Sequence, residues 1–74
     1  VIAECHFVNG TEKVKLVQRH VYNRQQLRHF DSDVGKYVAD SPLGELSAER
    51  WNNNTELLEY LRGAVDTFCR HNYE

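Results

Sequence analysis

The 74-residue sequence predicts an α+β domain: a four-stranded antiparallel sheet followed by one long, kinked helix lying on one face. Three observations predict it. The first forty residues alternate apolar and polar with a period of two, broken by turn signals. From Glu45 onward the apolar residues recur at helical spacing instead. Between the two regimes stands Ser41-Pro42, a good N-cap followed by the residue favoured at the first helical position.

The bulk properties bound the rest. An 8.7 kDa chain makes one small domain, and such a domain buries only about 60% of its unfolded surface. It therefore leans on a disulfide, a metal or a partner chain. Leu, Ile, Val and Phe make up roughly a quarter of the residues, above the ~20% typical of disordered chains. A net charge of −2 excludes a general polyanion binder, so no nucleic-acid partner is expected. No apolar run approaches the ~18 residues of a membrane span.

In the first strand, Val1, Ala3, Cys5 and Phe7 share one face, and Ile2, Glu4, His6 and Val8 the other. Asn9-Gly10 is a strong hairpin signal, since both residues tolerate positive φ. A second strand follows from Glu12 to Tyr22, with Val14, Leu16, Gln18 and His20 on one face. Asn23-Arg24-Gln25 turns the chain into a third strand, about Leu27 to Asp31. The polar turn Asp31-Ser32-Asp33-Val34-Gly35 leads to a short fourth strand, Lys36 to Asp40.

In the helical half, Trp51, Leu58, Val65 and Cys69 form one stripe. Leu57, Leu61, Ala64 and Phe68, with His71 or Asn72, form a second beside it. Asn52-Asn53-Asn54-Thr55 are poor helix formers that cap well, so a kink is expected there. Val65 and Cys69 facing the sheet leaves Leu57, Leu61, Ala64 and Phe68 uncovered, which implies a partner or ligand.

Two cysteines allow one intramolecular bridge, Cys5 to Cys69. Closing so long a loop stabilises by about 4 kcal/mol in the chain-entropy treatment. Two N-x-Thr sequons, at Asn9 and Asn53, fit a secreted or cell-surface setting in which such a bridge persists; the alternative is two free buried thiols in a cytosolic chain. With no initiator Met and no signal peptide, the chain reads as a piece of something longer.

Three blocks then carry a resemblance. Cys5-His6-Phe7-Val8-Asn9-Gly10-Thr11-Glu12, Phe30-Asp31-Ser32-Asp33-Val34-Gly35-Lys36-Tyr37 and Ala64-Val65-Asp66-Thr67-Phe68-Cys69-Arg70-His71-Asn72-Tyr73 resemble the membrane-distal (β1) domain of MHC class II beta chains. Trp51-Asn52 and Leu57-Leu58-Glu59 fall between them in one ungapped register, so the resemblance covers essentially residues 1–74. It implies half of a peptide-binding platform, with the start of the first strand, the immunoglobulin-like domain and the transmembrane segment missing from this piece. An alpha chain would supply the other half, a processed peptide would occupy the groove, and a T-cell receptor would read the helices. Location would be the cell surface and the endosomal or lysosomal membranes, with anchoring through the missing C-terminal part. No enzyme activity and no cofactor are implied. The alternative within the fold is a non-presenting peptide-exchange relative with an altered groove.

The resemblance also assigns residues. Trp51, His71 and Asn72 match those that hydrogen-bond the peptide backbone, and an Asn amide can meet a C=O and an N–H together. Their plainer reading is Trp51 as core and His71-Asn72 as a helix C-terminal cap. Pocket walls are expected from Val1, Ala3, Leu16, Gln18, His20, Leu27 and Tyr37 on the sheet, and from Leu57, Tyr60, Leu61, Ala64 and Phe68 on the helix. Small Ala3 and apolar Leu61 suggest a roomy apolar floor, with Gln18 and His20 as its polar contacts. Asn9 matches the family's glycosylation site; the pattern does not require Asn53.

Other chemistries fit poorly. Cys5-His6 and Cys69-Arg70-His71 supply a zinc inventory, but adjacent strand residues point to opposite faces, and i, i+2 on a helix diverge by about 200°. No oxyanion or Gly-rich element accompanies a Cys–His pair, which argues against a nucleophilic enzyme. Asp31-x-Asp33-x-Gly35 echoes a calcium loop, yet its glycine comes one position early and Pro42 stands at position 12. Lys13, Lys15, Arg19, Arg24 and Arg28 fall mostly on the solvent face of the strands, as a solvated underside.

Overall fold

The computed structural model describes residues 1–10 and 12–73. Alternation produces four antiparallel strands in the order β1 (Ile2–Val8), β2 (Lys13–Tyr22), β3 (Gln25–Asp31) and β4 (Lys36–Ala39). The register aligns Ala3, Gln18, Phe30 and Tyr37 across all four strands. Cys5 and Leu16 pair in the next row, and Phe7 pairs with Val14. These residues share the face that carries the helices.

The turns follow local chemistry. Asn9 and Gly10 both take positive φ, 57° and 67°. Tyr22 pairs with Gln25 around a two-residue loop, Asn23-Arg24, at φ 51° and 65°. That is the twist-matching turn that closes right-twisted strands most tightly. It is one residue shorter than expected, so β3 begins two residues earlier. In the third turn the Asp31 side chain accepts from the Asp33 N–H at 2.9 Å, and its carbonyl accepts from Val34 and Gly35.

A bulge interrupts the β2–β3 ladder. His20 pairs with Arg28 and Val21 with Gln26, which leaves Leu27 as the extra residue. Gln26 is thereby reset to the underside, where it donates to Asp40 at 2.7 Å.

The first helix, α1 (Pro42–Asn52), starts at the predicted Ser41-Pro42, although the Ser41 hydroxyl makes no capping bond. Gly44 lets α1 touch the sheet: a Cβ there would lie 2.0 Å from the Leu27 carbonyl oxygen. The predicted kink falls at Asn53-Asn54, where Asn54 caps α2 (Thr55–Ala64) by accepting from the Leu57 N–H at 3.1 Å. A π-helical segment, Val65–Arg70, continues from α2.

The packing of the helices overturns the expectation of an uncovered second stripe. Leu58, Leu61, Ala64 and Cys69 are all buried in one row, spaced 3, 3 and 5. The wider turn adds a residue between Ala64 and Cys69, which brings Cys69 into that row. Phe30, Tyr37, Ala48, Leu58 and Leu61 pack as one cluster, and Leu16, Ala64 and Cys69 as another. The chain therefore closes a core of its own. What stays exposed on this side is Tyr60 at 71% and Phe68 at 46%, with Leu57 half-buried.

The Cys5–Cys69 disulfide is formed, tying β1 to the π segment with Cα atoms 5.6 Å apart. Val17, on the underside, is buried beneath ion-paired side chains. Arg19 pairs with Glu4 at 3.1 Å, Lys15 with Asp31 at 3.5 Å, and His29 with Asp40 at 2.8 Å. A hollow of about 750 Å³ opens among them, on the face away from the helices. Of the basic stretch, Lys15 and Arg19 are ion-paired on this underside, whereas one residue faces the other way. Arg28 lies on the helix side, over the ring of Trp51.

Candidate groove floor and wall

Sequence alternation delivers Gln18 and His20 from β2, Arg28 from β3 and Tyr37 from β4 to the same face. The Tyr37 hydroxyl donates to Gln18 Oε1 at 2.9 Å, and His20 Nε2 lies 3.2 Å from the same oxygen. Trp51, from the last turn of α1, stands edge-to-face with His20 at 5.0 Å and Tyr37 at 5.2 Å. The Arg28 guanidinium carbon sits 4.0 Å from its ring centroid. Such contacts hold the indole by shape and by quadrupole.

The electrostatics follow from this packing. Burial pushes the His20 pKa below the usual histidine value, and the Arg28 cation lowers it further, so the ring is held neutral. Burial raises the Tyr37 pKa, only partly countered by Arg28, so the phenol stays a donor to Gln18. On the opposite face, hydrogen bonds from Arg19 and His6 hold Glu4 below the ordinary carboxylate range.

The structure sorts the expected pocket residues by depth. Val1, at 77% exposed, and Ala3 lie open, while Gln18, His20 and Leu27 are half-buried. Leu16, Tyr37, Leu61 and Ala64 are 3–7% exposed, so most of their surface already serves the chain's own core. Leu57, Tyr60 and Phe68 present the free surface of the wall. With Arg28 and the Tyr37 hydroxyl added, this floor is more polar than expected.

Of the three backbone-binding candidates, Trp51 is half-buried in the floor cluster, and His71 and Asn72 are exposed at the far end. The Asn72 amide donates to the Phe68 carbonyl at 2.8 Å, a C-terminal cap. An amide nitrogen has two hydrogens and Asn Oδ1 is a separate acceptor, so this cap leaves one donor and the acceptor open. Asn9 is exposed in its turn, but its sequon partner Thr11 lies outside the described residues; Asn53 is exposed at the end of α1.

Two site residues escaped the sequence. Arg28 was grouped with the solvent-facing basic residues, although plain alternation from Phe30 places it on the helix side. Asn52 was read only as a helix breaker. Its Oδ1 accepts from the Tyr37 N–H at 2.7 Å, and its Nδ2 donates to the Tyr37 carbonyl at 2.9 Å. One side chain thereby occupies both backbone groups at the free edge of β4. Among the described residues, no group of three or more His, Cys, Asp or Glu converges to hold a metal, and no helix is long and apolar enough to cross a membrane.

A half-platform of sheet and kinked helix, stapled from β1 to the π segment, with a ring-lined polar floor, defines an antigen-recognition fold of the histocompatibility class. The family profile described as class II histocompatibility antigen, beta domain, matches residues 1–74, and the chain belongs to that family. It is 59% identical over 71 residues to the B-L beta chain of Gallus gallus, covering 96% of this chain and 31% of that one. It is 54% identical over 74 residues to the H-2 class II E-D beta chain of Mus musculus, covering 100% and 28%. To the human HLA class II DR beta 5 chain it is 54% identical over 70 residues, covering 95% and 26%. The chain thus spans less than a third of the length of these relatives.

Proposed function

We propose that this chain forms one half of a groove that binds processed peptide, with an alpha chain forming the other half, and presents it to T-cell receptors of helper T cells. The observation that carries the reading is the floor: hydrogen-bonded Gln18, His20 and Tyr37, flanked by Trp51, with Gln18 and His20 half-buried. A groove for peptides of many sequences must hold their shared backbone and read their side chains separately. The Trp51 indole N–H, His71 and the open amide atoms of Asn72 take the first task. Val1, Ala3, Gln18, His20, Leu27, Leu57, Tyr60 and Phe68 take the second, with Leu16, Tyr37, Leu61 and Ala64 supporting them from beneath. Peptide binding is non-covalent, so no catalytic group is called for. Glycosylation at Asn9, in an exposed turn away from this floor, leaves the groove clear. Residence at the cell surface and in endosomal or lysosomal membranes, through an anchor elsewhere in the protein, completes the reading.

The test is direct. The beta-chain ectodomain, co-expressed with an alpha chain, is expected to bind a random peptide pool and release it slowly. Elution and sequencing should then recover peptides with a common spacing of preferred side chains. A heterodimer that assembles yet retains no peptide refutes presentation and favours the non-presenting peptide-exchange alternative.

A further inference from the structure

We propose that Arg28 makes the floor beside Trp51 a receptor for an acidic side chain, so that bound peptides carry Asp or Glu where they cross it. This rests on the peptide-binding reading above and specifies its ligand chemistry. The register places Arg28 between His20 and Ala39, two residues from Phe30 and on the same helix-facing side. Its guanidinium lies over the Trp51 ring, its carbon 4.0 Å from the centroid. That contact engages the cation with the ring's π-face, and an indole ring face accepts no in-plane pair of N–H donors.

Among the described residues, no carboxylate forms an ion pair with Arg28. Arg28 Nε is buried and has no hydrogen-bond partner among the described residues. The carboxylates of the strands are spent on the other face: Glu4 on Arg19 and His6, Asp31 on Lys15, Asp40 on His29. Glu45 and Glu49 of α1 are exposed and make no ion pair with Arg28. A cation with an unpaired, desolvated donor is costly unless an anion meets it. A carboxylate satisfies two in-plane donors at once, which an amide or an apolar side chain does not.

The experiment uses the assembled heterodimer and a bound parent peptide, substituted singly with Asp and, in parallel, with isosteric Asn. At one peptide position, Asp is expected to dissociate on the order of ten- to a hundredfold more slowly than Asn. The gap should close in Arg28→Leu, while Arg28→Lys should retain part of it. Absence of any position at which Asp outlasts Asn on the unmodified heterodimer overturns the inference but leaves peptide binding standing. So does an Asp preference that survives Arg28→Leu. A heterodimer that holds no peptide at all overturns both. Because the Asp–Asn contrast is measured first on the unmodified protein, poor assembly of a variant does not remove the test.

Discussion

Replacing Asn52 by Ala should loosen the join between α1 and the sheet and do so at one identifiable amide. In the structure a single side chain accepts from the Tyr37 N–H at 2.7 Å and donates to its carbonyl at 2.9 Å. Each bond is worth about 1 kcal/mol net, and a group left without water costs about 1–3 kcal/mol. Asn52 is half-buried, so water refills part of the gap, and a loss of about 2 kcal/mol is expected. Since 1.4 kcal/mol is a factor of ten, the Tyr37 amide should exchange its hydrogen about ten- to thirtyfold faster. Amides in the β1–β2 ladder should change much less, because Asn52 does not touch them. Asn52→Asp should be worse than Ala, as it turns an oxygen toward the Tyr37 carbonyl. Hydrogen exchange of the heterodimer, resolved to single amides, reads all three outcomes. If Tyr37 keeps its protection in Asn52→Ala, or if every amide accelerates equally, the edge-binding role is wrong.

Three further outcomes are expected. Gly44→Ala should push α1 off β3, because the new methyl would sit 2.0 Å from the Leu27 oxygen; the change should appear as altered Trp51 fluorescence and a loss of about 2 kcal/mol or more in urea unfolding. Asn72→Ala should speed peptide release about tenfold, and by similar factors for unrelated peptides, since it removes a contact to backbone; a strongly peptide-selective effect in dissociation assays would place Asn72 in a pocket instead. His20 has a folded-state pKa below its unfolded value near about 6.5, so its contribution to stability is full above that value and is lost as pH falls below it. His20→Gln should therefore flatten the pH dependence of unfolding between about pH 7 and 5, measured by thermal melts across that range.

Much of the architecture could be read directly. Alternation through Leu16 and Gln18, the turn residues at Asn9-Gly10 and Asn23-Arg24, and the Ser41-Pro42 start each carry their own local physics. The kink was equally legible, because Asn54 caps a helix by its residue type. Two of the failures share a cause: one-residue phase shifts. An extra residue at Leu27 turned Gln26 to the underside, and an extra residue in the turn after Ala64 brought Cys69 into the row of Leu58, Leu61 and Ala64. Neither bulge nor π turn has a strong sequence signature, because each is set by what packs across from it. Leu61 was missed without a phase shift, since it lies in α2 at ordinary i, i+3 spacing from Leu58 and Ala64. Assigning it to a second stripe left it uncovered, whereas the structure buries it to 4% against Phe30 and Tyr37. The Asn52 pairing was hidden for a different reason, since a side chain that mimics a neighbouring strand leaves no periodic trace.

The bridge from Cys5 to Cys69 has a mechanical corollary. It closes a loop with a sequence separation of 64, which takes in most of the sheet and both α-helices. Tension applied to the chain beyond Cys69 passes through the sulfur atoms into β1 and bypasses α1 and α2. At about 3.3–3.6 Å per extended residue, on the order of 200 Å of contour is locked away from any pull. Stretched between points outside the bridge, the oxidised domain should lengthen by only a few residues, and reduction should release the remainder in a single long step.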